Sequence, residues 1–99
     1  MNIDVNKVDG TLIIKIEGRV DTVTAPQFEA CATENIPGNE KIVVDCEKLD
    51  YISSAGLRVF LRAQKMVNAE GSEMVLKNVN ETVRQIFEVT GFDTILKFE

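Results

Sequence analysis

Two adjacent hydroxyl side chains, Ser53 and Ser54, are the residues of this chain best suited to chemistry. They follow the apolar run Ile42–Val44 and precede an amphipathic segment that starts at Ala55 or Gly56, so we expect a buried strand to deliver them to the start of a helix. The first turn of a helix has backbone N–H groups without intrahelical partners and a partial positive charge. Serine caps such an end well, and a phosphate placed there is stabilised by the same donors. The pair therefore predicts a helix cap, a phosphorylation switch, or both.

Other catalytic chemistry has little support. The chain contains no histidine, which removes Ser–His and Cys–His nucleophile pairs and the commonest metal ligand. Its six glycines are isolated, so no phosphate-binding loop is present. Cys31 and Cys46 are dispersed, which argues against a zinc site and favours two reduced packing residues. A Ser–Lys dyad stays open, although no lysine has a diagnostic spacing. We predict that the chain is not an enzyme and holds no metal or cofactor.

Length and charge limit the function further. The 99 residues suit one domain, residues 1–99. A net charge of −5 argues against nucleic acid, whose phosphates must be neutralised by Lys and Arg, and is compatible with a locally basic protein partner. No apolar stretch approaches the ~20 residues of a membrane span, and no signal peptide is visible. We expect cytoplasmic residence without membrane insertion.

Hydrophobic periodicity predicts the elements that precede the serines. Alternating residues on either side of Asp9-Gly10 indicate an N-terminal β-hairpin whose first strand is half-buried. The second strand is expected to end before Gly18–Asp21. A helix follows, capped by Thr22 or Thr24, with a capping box between Thr24 and Gln27.

The second half of the chain alternates strands and helices. A short apolar strand is expected at 41–45, then the serine stretch, a helix over 55–69 closed by Gly71, and a strand at 74–77. Asn80 is expected to cap a last helix, and residues 95–98 form an edge strand or an extended tail. We predict an α/β fold: a mixed four- to five-stranded sheet with an N-terminal β-hairpin and about three to four helices. Ligand sites in such sheets lie beyond the carboxyl ends of strands, where Asp21, Thr22, Ser53 and Ser54 are expected to meet.

These residues carry a family resemblance. The segments Val43–Asp45 and Leu49–Leu57 resemble the signature of the STAS domain, which is shared by anti-sigma factor antagonists and the tails of sulphate transporters. Gly18–Thr22, Asn78–Val83 and Thr90–Asp93 are similar to other recurrent segments of the family. The resemblance covers essentially the whole chain, and a chain of this size is more like the bacterial antagonists than the transporter tails.

The resemblance implies an anti-sigma factor antagonist that sequesters an anti-sigma factor kinase until the kinase phosphorylates one serine, which a phosphatase later restores. Aligned on Gly56-Leu57, the phosphorylated residue is Ser54, and Ser53 is the second choice. The family's aspartate falls on Ser53 and its second hydroxyl on Ala55, which are both departures. The implied partner-binding residues are Asp21, Thr22, Ser53, Ser54, Gly56, Leu57 and Arg58.

Two alternative functions follow from the same family. One is an accessory STAS subunit of a membrane lipid transporter or of a larger signalling assembly. The other is an enzyme or a nucleotide binder, which the missing phosphate loop disfavours. Arg58 lies four residues after Ser54. It can contact a partner or balance the charge of the phosphate, or it can simply be a solvated helix residue.

Overall fold

The computed structural model describes all residues from Met1 to Glu99. Its elements in chain order are β1 (Asn2–Val8), β2 (Thr11–Val20), α1 (Ala25–Asn35), β3 (Lys41–Ile52), α2 (Ser54–Glu70), β4 (Glu73–Lys77), α3 (Glu81–Val89) and β5 (Lys97–Phe98), with a 3-10 turn at Phe92–Thr94. The five strands lie in the sheet in chain order, β1 antiparallel to β2 and all other neighbours parallel. The predicted α/β fold, with its hairpin and its crossover from β3 to β4, is confirmed. No helix is both long and apolar enough to cross a bilayer.

The hairpin turns at Asp9 and Gly10, which both have positive φ, 49° and 81°. Such angles match the primed turns that Asp-Gly favours. β1 is more exposed than its alternating pattern predicted, because it is the open edge of the sheet: Val5 and Val8 are 40% and 50% exposed, and Ile3 alone in this strand packs against the core.

The core lies between one face of the sheet and the three helices. Leu12, Ile14 and Ile16 alternate along β2 and are buried on that face. Two edge-to-face contacts between phenylalanine rings, with centroids 5.0 and 5.5 Å apart, join α1 to α2 and α2 to α3 through Phe28, Phe60 and Phe87. Such ring pairs add roughly 0.5–1.5 kcal/mol each beyond the area that they bury. The helices therefore share one face and hold the start of α2 over the sheet.

β3 is longer than predicted. The strand continues past Asp45 to Ile52, where the sequence suggested a loop. Beyond Asp45 it pairs with β2 only, because β4 pairs with residues 41–45. The pairing with β2 shifts register twice, between Lys15 and Glu17 and between Gly18 and Arg19. The polar residues Glu47, Lys48 and Asp50 of this extension are exposed, so the strand can contain them without burying charge.

The helix ends agree with the sequence in two places and differ in one. Asn80 caps α3 by accepting from the Val83 N–H at 2.9 Å, and Gly71 ends α2 in the left-handed region at φ 71°. The capping box at Thr24 is wrong. Thr24 occupies the N-cap position, but its hydroxyl makes no cap bond to α1. It donates instead to the Arg19 carbonyl at 2.8 Å and accepts from the Asp21 N–H at 2.9 Å.

Candidate functional site

The carboxyl ends of β2 and β3 lie side by side. Val20 and Ile52 are the last paired residues of the two strands, and the Ser53 N–H donates to the Val20 carbonyl at 2.8 Å. Asp21 therefore leaves the sheet next to Ser53, and the two predicted segments are at the same edge.

The two serines have different environments. Ser53 is the N-cap of α2 with an extended backbone, and its carbonyl accepts from the Leu57 N–H at 2.9 Å. Its hydroxyl makes no cap bond, because Oγ is buried without any hydrogen-bond partner. Ser54 is the first residue of the helix and is exposed. An enzyme that approaches from solvent can therefore reach Ser54, whereas the Ser53 oxygen is shielded.

Gly56 allows α2 to start so close to the sheet. A Cβ atom at this buried position would lie 2.7 Å from Ile52 Cγ1, 2.8 Å from Val20 Cγ1 and 3.1 Å from the Val20 carbonyl oxygen. Only glycine lacks this atom, so the requirement is space rather than an unusual backbone angle. Leu57 is also buried, with 6% of its surface exposed, because it faces the core. Both residues position the exposed first turn of α2, and their contact with a partner stays a prediction.

Asp21 organises the loop between β2 and α1. Its carboxylate accepts from the backbone N–H groups of Val23 at 3.0 Å and Thr24 at 3.1 Å. The hydrogen bond from the Thr24 N–H is the largest influence and lowers the pKa of this carboxyl. Desolvation raises the pKa, whereas the Thr24 hydroxyl, the Val23 N–H and the Arg19 charge lower it further. The lowered pKa keeps the Asp21 carboxylate ionised at neutral pH. Thr22, the next residue in the loop, is exposed.

Arg58 lies one helical turn after Ser54 and is exposed. It takes part in none of the chain's six ion pairs. Its guanidinium is therefore free to meet a partner or a phosphate. Among the chain's side chains, no group of three or more His, Cys, Asp or Glu is arranged to hold a metal ion.

Three further residues near this edge were missed by the sequence reasoning. Val23, in the loop beside Asp21, is 85% exposed. The Arg19 guanidinium lies 4.5 Å from the centre of the Tyr51 ring, and the two residues are paired neighbours on β2 and β3. The position of Val23 between two threonines in the sequence could have indicated its exposure. Nothing in the sequence indicated the Arg19–Tyr51 contact, because it depends on a register shift between the strands.

Together, the fold and the site define a small α/β binding module that presents an exposed serine at a helix start. A profile of the STAS domain matches residues 2–99. The chain therefore belongs to the STAS domain family, as its motifs predicted.

Relatives carry the function that the motifs predicted, antagonism of an anti-sigma factor. The chain is 41% identical over 96 residues to BtrV of Bordetella bronchiseptica, a candidate anti-sigma factor antagonist, covering 96% of this chain and 83% of BtrV.

Solved structures show the same fold. A candidate antagonist from Thermotoga maritima superimposes with a TM-score of 0.89 at 22% identity, covering 97% of this chain and 84% of that one. The Bacillus anti-sigma factor antagonist SpoIIAA, solved in unphosphorylated and phosphorylated forms, gives TM-scores of 0.78 and 0.77 at 21% identity, over 99% of this chain and 87% and 91% of the SpoIIAA chains.

Proposed function

We propose that this chain is an anti-sigma factor antagonist controlled at Ser54. In the unmodified state it binds an anti-sigma factor that is also a serine kinase. The kinase phosphorylates Ser54, the complex dissociates, and a phosphatase restores the serine. The observation that carries the proposal is the exposure of Ser54 at the first turn of α2 next to a buried Ser53 oxygen. The names of the sequence relatives and the phosphorylated form of SpoIIAA support the same mechanism.

The switch acts by charge and size. Phosphorylation adds about −1.5 to −2 charges and three acceptor oxygens to a residue that was neutral. The helix start tolerates this change, because its free N–H groups and dipole favour an anion. A partner surface that covers Ser54 does not, because leaving a charge buried without its counterpart costs ~2–5 kcal/mol, or roughly 30-fold or more in affinity. The module can therefore keep its fold while losing its partner.

Phosphorylation is tested with the partner kinase and ATP, followed by mass spectrometry of the intact chain and of its peptides. We expect one phosphate, at Ser54, and none in Ser54→Ala. Ser53→Ala is the matched control, because it removes the neighbouring hydroxyl and should still accept the phosphate. A phosphate on Ser53, or none on either serine, contradicts the proposal.

Partner release is tested with Ser54→Asp. This variant should bind the kinase at least ~30-fold more weakly than the wild-type chain. Its thermal stability should stay equal or rise slightly, because an acid in the first turn stabilises a helix by about 0.3–1 kcal/mol. Unchanged binding by Ser54→Asp, or binding lost only together with the fold, contradicts the switch.

The same proposal makes the chain a cytoplasmic regulatory binding protein rather than an enzyme. Its phosphate comes from the partner's ATP, so the chain needs only an accessible acceptor. Purified chain should not hydrolyse ATP or GTP, and hydrolysis that co-purifies with the chain and is lost in Ser54→Ala would contradict this part of the proposal.

A further inference from the structure

Helix α2 carries a basic stripe in an otherwise acidic chain. We use this name for Arg58, Arg62 and Lys65, which are all exposed. Their spacing of four and three residues places them on one face of the helix. Between Ser54 and Ala69 the helix contains no acidic residue, whereas the whole chain has a net charge of −5. The exposed face of α2 is therefore basic, although the chain as a whole is acidic.

An apolar groove runs beside the stripe between α1 and α2. Its volume is about 260 Å³. Its apolar lining comes from Ala32, Val59 and Ala63, each with no more than 4% of its surface exposed, and from half-buried Met66. Arg62 and Lys65 also line it, together with Glu29 of α1.

The charges of the stripe are only partly balanced within the chain. Arg62 forms an ion pair with Glu29 across the groove. Arg58 and Lys65 belong to none of the ion pairs. Two free cations therefore flank the paired one, and the groove lies alongside. A segment that offers carboxylates to the two cations and apolar side chains to the groove would match this face in both charge and polarity.

We propose that the basic stripe and its groove dock an acidic, amphipathic segment of the anti-sigma factor; this proposal rests on the proposed function. The sign of the charge supports this occupant over a basic one, although the net charge of the chain alone suggested the reverse.

The stripe also gives the Ser54 phosphate a second effect. Arg58 follows Ser54 by one helical turn, and an anion four residues before a cation is a favourable helix pair. A phosphate on Ser54 therefore draws Arg58 away from the partner's carboxylates. Phosphorylation blocks the contact at the helix start and weakens the contact along the helix.

The test measures affinity for the kinase that phosphorylates Ser54, by isothermal titration calorimetry at low and moderate salt. Lys65→Glu turns an attraction into a repulsion at an exposed site and should weaken binding about fivefold, with the loss shrinking as salt rises. Lys7→Glu is the matched control, because Lys7 is exposed on β1 and also lies outside every ion pair. It should change affinity less than about twofold.

The groove is tested by Met66→Gln, with Val8→Gln as the control for replacing an apolar side chain that is partly exposed. Circular dichroism confirms the fold of each variant. Met66→Gln should weaken binding several-fold and Val8→Gln should not. If Lys65→Glu and Met66→Gln bind like their controls while Ser54→Asp still weakens binding at least ~30-fold, the docking surface is overturned and the proposed function stands. If the wild-type chain binds no anti-sigma factor kinase, both are overturned.

Discussion

Replacing Gly56 with alanine tests directly how closely α2 approaches the sheet. The new Cβ would lie 2.7 Å from Ile52 Cγ1 and 2.8 Å from Val20 Cγ1, whereas favourable carbon contacts are about 3.5–4.0 Å. Both neighbours are branched and buried, with about 1% or less of their surface exposed, and the Val20 carbonyl oxygen at 3.1 Å is fixed by the strand. The first turn of α2 must therefore move outward.

The expected cost is the difference between two effects. Overpacking a filled core costs ~1–3 kcal/mol. Alanine is the better helix former, by ~0.8–1.0 kcal/mol. Gly56→Ala should therefore lower the free energy of unfolding by about 1 kcal/mol, and for a chain of this length the melting temperature should fall by about 4–8 °C. Urea unfolding followed by circular dichroism measures the first quantity and calorimetry the second.

Val20→Ala provides the control through a double-mutant cycle, because it removes Val20 Cγ1, one of the two crowding side-chain carbons. The double variant should be destabilised by at least ~0.5 kcal/mol less than the sum of the single variants. At temperatures far below unfolding, Gly56→Ala should also be phosphorylated at Ser54 more slowly, since the first turn is displaced. A Gly56→Ala chain that is more stable than the wild type, or additive effects of the two substitutions, would refute the reasoning.

Three further predictions concern stability and reactivity. Asn80→Ala should lower the free energy of unfolding by ~1–2 kcal/mol, because Asn80 accepts from the Val83 N–H and donates to the Leu49 carbonyl, each at 2.9 Å. Urea titration measures this loss, and Asn80→Asp, which keeps the cap, should lose less stability. Partial burial opposes ionisation of Asp45, but hydrogen bonds from Asn78 and the Glu47 N–H, with the charges of Lys15 and Lys77, lower the pKa of its carboxyl below the ordinary 3.8. The carboxylate therefore stabilises the fold above that pH, and this stabilisation is lost as the pH falls below it. The urea midpoint of Asp45→Asn should consequently decline less between pH 5 and 3 than the midpoint of the wild type. Burial, with a smaller effect of the Asp45 charge, raises the pKa of the Cys46 thiol to about 12. The native chain at pH 8 should therefore be alkylated at half-buried Cys31 before buried Cys46. Equal rates of alkylation would contradict the packing.

The periodic parts of the fold could be predicted from the sequence. Alternation in β2 and the Asp9-Gly10 turn indicated the hairpin, and the isolated residues Asn80 and Gly71 marked helix ends because each acts through its own local geometry. The extension of β3 could not be predicted, since Glu47, Lys48 and Asp50 look like a loop. Only the pairing with β2, formed through two register shifts, makes them part of a strand.

The candidate site shows the same division. Motif and spacing predicted that Ser53, Ser54 and Asp21 lie at one edge of the sheet, and the ends of β2 and β3 agree with this. They did not separate the two serines by burial, because that depends on how α2 lies over Val20. They also did not show that Gly56 and Leu57 are buried and position the first turn of α2. Residue type thus indicated which positions matter, while packing decided what each of them does.

The unpartnered hydroxyl of Ser53 has a consequence for how this chain can evolve. A buried hydroxyl without a hydrogen bond costs roughly 1–3 kcal/mol, and no cap bond compensates for it here. Alanine at this position should therefore leave the chain equally stable or more stable. Natural proteins are seldom at their stability optimum, and substitutions that raise stability at functional sites often reduce activity. Ser53 is one substitution away from a chain that is at least as stable, and it lies next to the residue whose modification we propose controls the partner.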